Sequence, residues 1–156
     1  MKAWHFTNGA LRNGDPIPAD GEVLRWDGDC VMCESGLHAS ERIIDALKYA
    51  PGNMIHRVEC DGIEDTHDDK LVCRARTILW RINGETLLRD FARQCAFDVI
   101  QLWEAPRIVR DYLETGDESK RAAARAAAWA AAGGAARAAQ NERLEKMVRE
   151  ARNASE

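Results

Sequence analysis

The stretch AAARAAAWAAAGGAARAA, residues 122–139, limits what this chain can fold into more than any other. Alanine combines the highest helix propensity with the smallest apolar side chain. Such a run can be helical, but it offers little surface to bury and cannot supply a core. The core must come from the residues before it. There, short runs of aromatic and β-branched residues alternate with Gly, Pro, Asn and Asp turns, and the character changes near residue 105. The pattern predicts an α+β protein: a small antiparallel or mixed sheet packed on helices over residues 1–105, then an Ala-rich helical C-terminal extension over 106–156.

Within the front part, KAWHFT (2–7) reads as a strand with Trp4 and Phe6 on one face and His5 and Thr7 on the other. EVLRW (22–26) reads as a second strand and CVMC (30–33) as a short third. Ser40 is placed to cap a helix over 41–50 whose stripe is Ile43, Ile44, Leu47 and Ala50, with Ala46 at its margin. MIHRVEC (54–60) alternates like a half-buried strand, DGIEDTHDD (61–69) reads as an acidic loop, and KLVCRARTILWRI (70–82) as a long β-rich segment divided into two strands by a bend near 74–76. After the Asn83-Gly84 turn, Leu88, Phe91, Ala92, Cys95, Ala96, Val99, Leu102 and Trp103 recur at the spacing of a buried helical face over 86–103. Pro106 and Gly116 bracket a helix with Ile108, Val109, Tyr112 and Leu113 on one side. The Ala-rich helix breaks at Gly133-Gly134, and a last helix runs from 135 to about 152. Trp129, a large aromatic in a field of alanine, is a candidate docking residue, with Arg121 and Arg125 beside it in sequence.

No apolar run approaches the ~20 residues that cross a bilayer, and the N-terminus is too polar for a secretory signal, so the expected location is the cytoplasm. Five cysteines, an odd number, fit reduced thiols in such a compartment. Residues 1–105 carry 12 Lys/Arg against 18 Asp/Glu, whereas 106–156 carry 10 against 8. An acidic front argues against a nucleic-acid partner. The basic alternation of Arg74, Arg76 and Arg81 with Ile78 and Trp80 is the feature that points the other way.

Cys30-x2-Cys33 has the spacing of half a zinc knuckle, but no second ligand pair follows at similar spacing, and no metal is expected. Cys33 with His38 has the residue types of a thiol nucleophile and its base, with no orienting carboxylate evident. Lys70 is a candidate partner for Glu34 or Asp69, and Gly36 is placed for a positive φ in a tight turn. Together His5, Cys33, His38, Ser40 and Lys70 form the candidate pocket; Cys33 and Leu37 are expected to pack inward.

Two resemblances bear on function. The order of turn, short strand, capped helix and strand in GLHAS-ERIIDALKYA-PGNMIHRVE resembles the ADP-ribosyltransferase fold. That resemblance implies an NAD pocket gripped by His5 on the first strand and by His38 and Ser40 on the second. Glu59 and Glu64 are the carboxylates at hand. Over nearly the whole chain, the CESGLHAS turn, the DKLV strand and the Ala-rich tract resemble an uncharacterised family encoded by bacteriophages and prophages. This resemblance implies a phage accessory product rather than a housekeeping enzyme, and no established activity. The acidic front, which suits a partner that grips nucleic acid, and the Ala/Trp arm, which suits docking or self-association through the C-terminal helices, lead to the expectation of a protein that binds a host or phage protein, for instance in anti-CRISPR-like counter-defence, with no membrane or cofactor.

Overall fold

Alternation and turn chemistry build five strands and the helices between and after them. They are β1 (Lys2–Thr7), β2 (Val23–Arg25), β3 (Leu37–Ala39), α1 (Ile43–Lys48), β4 (Met54–Thr66), β5 (Leu71–Asn83), α2 (Glu85–Asp98) and α3 (Arg107–Thr115). One-turn 3-10 helices occupy Ile100–Leu102 and Glu118–Lys120, and helix α4 is described from 121 to 131. The structure, a computed structural model, describes residues 1–131. The expected break at Gly133-Gly134 and the last helix over 135–152 lie outside the described residues. The chain divides into two compact units, Met1–Leu88 and Arg89–Glu156.

In the first unit the sheet is antiparallel throughout, in the order β1-β4-β5-β2, with β3 also pairing β5. β3 lies beside Leu71–Cys73 and β2 beside Ala75–Thr77. The chain leaving β3 meets β1 again: Trp4 and Ser40 exchange both backbone hydrogen bonds, at 2.7 and 3.0 Å. The sheet is thereby curled around an inner face of Ala3, Leu37, Ala39, Val58, Cys60, Leu71, Cys73 and Ile78. On the opposite face of β1 and β4, Phe6 and Ile55 pack on Ala46 and Leu47 of α1. β1 thus uses both faces, as its alternation predicts.

Several expectations are corrected. CVMC is not a strand: Val31 and Ser35 close a tight turn through reciprocal backbone bonds, and Cys33 lies at its exposed tip with φ 69°. Ser40 caps nothing, because its backbone is committed to Trp4. The helix starts later, at Ile43, after an extended Arg42, and Asp45 in its first turn holds Arg42 at 2.6 Å and Lys48 at 3.0 Å. Its buried side carries Ala46, while Ile43 and Ile44 face solvent. The acidic segment is not a loop up to Thr66. It continues β4, because β5 provides a backbone ladder down to Thr66↔Leu71, and ladder bonds are indifferent to side-chain polarity. β5 itself runs unbroken over 13 residues, without the expected division into two.

The helix over 86–103 is present in shorter form, but none of the residues of α2 is buried. Only Leu88, half-buried, joins the cluster of Phe6, Ala46 and Ile55. A periodic apolar stripe defines a face and does not by itself provide a surface to cover it. In the second unit the core is Ile100, Ala105, Val109, Leu113 and Ala124, so α3 packs on α4 through the alanine side. Gly116 ends α3 in the left-handed conformation, its N–H bonded to the Tyr112 carbonyl at 2.8 Å, as expected from sequence. Among the described residues no helix is long and apolar enough to cross a membrane.

Candidate functional site

The curl of the sheet gathers basic side chains in its interior. His5 faces His56 across the β1–β4 pairing, with ring centroids 6.1 Å apart. His56 is fully buried; its Nε2 lies 2.8 Å from Thr7 Oγ1, and its Nδ1 has no hydrogen-bond partner among the described residues. Arg76, on β5 between Leu24 and Cys60, is only 7 % exposed. Its Nη1 donates to the His38 carbonyl at 2.5 Å, and His5 is hydrogen-bonded to the same residue's backbone. His5, Thr7 and Arg76 line a cavity of about 10 Å³, room for a single water-sized sphere, whose other walls are Leu11, Ile17, Pro18, Leu24 and Ile78. The segment carrying Leu11, Ile17 and Pro18 is held over it by Gly21 N–H on the Ile78 carbonyl (2.8 Å) and by the Arg81–Asp20 ion pair (2.6 Å).

This environment disfavours positive charge. Burial, then the Arg76 guanidinium and the neighbouring histidines, hold His5 well below its ordinary pKa. Burial, then Arg81 and Arg76, bring His56 down to about 4. Burial lowers His38 as well, against the raising effect of its hydrogen bond to the Gly36 backbone. All three imidazoles are therefore neutral at pH 7.

Outside the curl lies a second cluster, built on the Cys33 turn. His38 Nε2 accepts from the Cys33 N–H at 3.0 Å, so it is the base of a turn and does not face the thiol as a general base would. Cys33 Sγ instead accepts from Lys70 Nζ at 2.8 Å, and that ammonium also sits 4.7 Å from the Tyr49 ring centroid. The thiol contact is the main cause of a raised Lys70 pKa. The expected pairing of Lys70 with Glu34 or Asp69 is replaced by this contact. Asp69 is taken by Tyr49 Oη at 2.7 Å and Lys48 at 3.6 Å. The expected inward packing of Cys33 is also corrected, since it is exposed; Leu37 is buried as expected.

His5 and His38 therefore adjoin, His38 and Cys33 adjoin, and Lys70 reaches Cys33, while Ser40 contributes its backbone to the β1 bridge. Arg121, Arg125 and Trp129 lie on α4, in the second unit, all exposed. Neither His56 nor Arg76 was a pocket candidate from sequence. The register of His56 opposite His5 was the available signal for the first. Nothing in the local pattern marks Arg76 as interior, and its burial dissolves the basic strand face: Arg74 is paired with Glu64 and Arg81 with Asp20. Among the described residues no group of three His, Cys, Asp or Glu side chains is arranged to hold a metal. Cys60 and Cys73 sit together in the core, and their mutual hydrogen bond, with burial, pushes the Cys60 thiol up. Native-state alkylation followed by peptide mass spectrometry is expected to modify exposed Cys33 and Cys95 about a hundredfold faster than Cys60 and Cys73, which need the fold to open. Equal rates would show that the curl is open in solution.

Fold and site together define a class: a curled antiparallel sheet with a buried basic cluster, joined to a helical unit. The profile of the family described as "Domain of unknown function (DUF7666)" matches residues 1–90, and the chain belongs to that family. No curated protein and no solved structure matches it.

Proposed function

We propose that the chain is a phage-encoded accessory protein of binding type, which engages a host or phage protein through its helical unit. The observation that carries this reading is the exposure of large apolar side chains there: Trp129 is 83 % and Leu102 76 % exposed, and Phe91, Phe97 and Val99 are exposed as well. Soluble domains rarely present so many large apolar groups without a use for them. Aromatic anchors of this kind dominate protein–protein recognition. Counter-defence is a role that fits such a protein: the helical unit supplies the apolar anchors, and the acidic front of the chain complements proteins that grip nucleic acid.

A photo-crosslinking amino acid at position 129 tests it in cells carrying the phage. The expected result is one dominant adduct with a host or phage protein, absent when the crosslinker replaces Lys2 in the other unit. Adducts between copies of the chain alone, or none, overturn the proposal.

One observation favours a second reading, a nucleotide-binding protein of the ADP-ribosyltransferase type: His5 and His38 do adjoin. That reading needs a cleft with a facing carboxylate, whereas the cavity is water-sized and none of its lining residues is acidic. Heat on titration with NAD, lost in His38→Ala, would favour it over the binding reading.

A further inference from the structure

We infer that Cys33 and Lys70 form a redox modification site, at which hydrogen peroxide oxidises the thiol and the lysine amine then closes a covalent sulfenamide bond between Cys33 Sγ and Lys70 Nζ. The carrying observation is a nitrogen nucleophile in contact with an exposed thiol. Nζ lies 2.8 Å from Sγ, so the two atoms are already as close as the ~3–3.5 Å of a near-attack arrangement requires. They come from positions 37 apart in the chain, and each is held from its own side. Cys33 stands at the tip of the turn closed by Val31 and Ser35, with its N–H fixed on His38 Nε2 at 3.0 Å. Lys70 immediately precedes β5, and its carbonyl accepts from the His67 N–H at 2.8 Å. Its Nζ is steered by the Tyr49 ring, 4.7 Å away, and Tyr49 is anchored in turn by Asp69 at 2.7 Å.

The peroxide is the one reagent the pair needs. The Cys33 thiolate, the form of a thiol that acts as nucleophile, attacks one peroxide oxygen; the O–O bond breaks and hydroxide leaves. The Cys33 contact keeps Lys70 protonated up to this point. Hydroxide is the stronger base, so it takes the ammonium proton and becomes water, leaving a sulfenic acid beside a free amine. The amine lone pair then attacks the sulfur. The S–O bond breaks, and the departing hydroxide takes a proton from nitrogen to give a second water. Sulfur has lost two electrons and the peroxide has gained them. Sulfenic acids condense reversibly with a nitrogen or a thiol in reach, and here the nitrogen is the nearer partner. Cys60 and Cys73 are buried on the inner face of the sheet, and Cys30 turns its Sγ to the Cys73 carbonyl at 3.7 Å.

The first test treats the full chain with hydrogen peroxide at pH 8, caps the remaining thiols, digests with trypsin and sequences the peptides by mass spectrometry. The expected product joins peptide 26–42, which carries Cys33, to peptide 58–74, left uncut at Lys70. It is lighter than the two peptides together by two hydrogen atoms, and dithiothreitol releases it. A Cys33 that stops at sulfenic or sulfinic acid, or pairs with another cysteine, while trypsin still cuts after Lys70, overturns the inference. The second test compares the wild type with Lys70→Arg, which keeps a cation at the site and removes the amine. The variant should give no joined peptide. Its Cys33 sulfenic acid, no longer consumed, should be trapped by dimedone several-fold more than that of the wild type. Equal trapping in the two proteins overturns the inference as well. Should Lys70→Arg fail to fold, the wild-type peptides still decide.

Discussion

Between pH 6.5 and 4 the protein is expected to lose several kcal/mol of stability, well before its paired carboxylates titrate. The reason is three imidazoles held below their ordinary pKa chiefly by desolvation, His56 fully buried and His5 and His38 half-buried. His56 is fully buried and its pKa lies at about 4 in the fold, against about 6.5 in an unfolded chain. In that window the unfolded state binds a proton that the folded state refuses. The stabilising difference is complete above pH 6.5 and is lost as pH falls toward the folded value. For His56 alone the loss by pH 4 is on the order of 3 kcal/mol. His5 and His38 are shifted in the same direction, chiefly by burial, and add to it. Asp45, Asp69 and Asp117, held low first by Arg42, Tyr49 and Ser119 respectively, withdraw their support only at more acid pH. Urea unfolding at pH 7, 6, 5 and 4.5 measures the effect. His56→Gln, which cannot titrate there, should flatten the slope by about half. A wild-type stability that is level from pH 7 to 5 would mean that the curl admits water and proton to these rings.

Gly36→Ala is expected to be the most damaging single methyl group that can be added to the corner between the Cys33 turn and β3. Gly36 has φ 97°, where a side chain is strained, and a Cβ there would lie 2.5 Å from Val72 Cγ2 and 3.1 Å from Cys30 Sγ. Val72 is fully buried and has no free direction in which to retreat. Backbone strain of about 1–3 kcal/mol and overpacking of about 1–3 kcal/mol together predict a loss of ~2–6 kcal/mol. That is a large share of the ~5–15 kcal/mol typical of a whole domain. Denaturant unfolding followed by circular dichroism gives the number. Val72→Ala in the same chain should restore the overpacking part and leave the strain, so the double variant should be more stable than Gly36→Ala alone. A loss below about 1 kcal/mol for the single variant would show that the corner deforms freely, against the rigid turn described above.

The parts of the fold legible in the sequence share a property: their determinants are local. The alternation of Trp4 and Phe6 with His5 and Thr7 needs only the strand period. Gly36 and Gly116 mark positive φ because few other residues tolerate it. Pro106 and Gly116 bracket α3 because one presets φ and the other relieves the end of the helix. The parts that were not legible depend on partners distant in the chain. Residues 61–66 look like a loop, being acidic and carrying Gly62, and become strand because β5 lies alongside. Ser40 has the chemistry of a helix cap and is diverted by Trp4, 36 positions earlier. The stripe on α2 has the spacing of a buried face and is exposed except at half-buried Leu88, because whether a face is covered is not written in its period.

The sequence by itself determined that the sheet precedes the alanine tract, that the class is α+β, and that a tight glycine corner leads into the GLHAS strand. Only the tertiary structure decided that His5, His56 and Arg76 share one interior, with the His38 carbonyl reaching into it. They belong to three different strands, and no spacing rule links positions 5, 56 and 76. Their meeting follows from the curl that joins β3 back to β1, and curvature is a property of all the pairings at once. Whether Arg76 is a solvated strand charge or a buried one was settled by that closure.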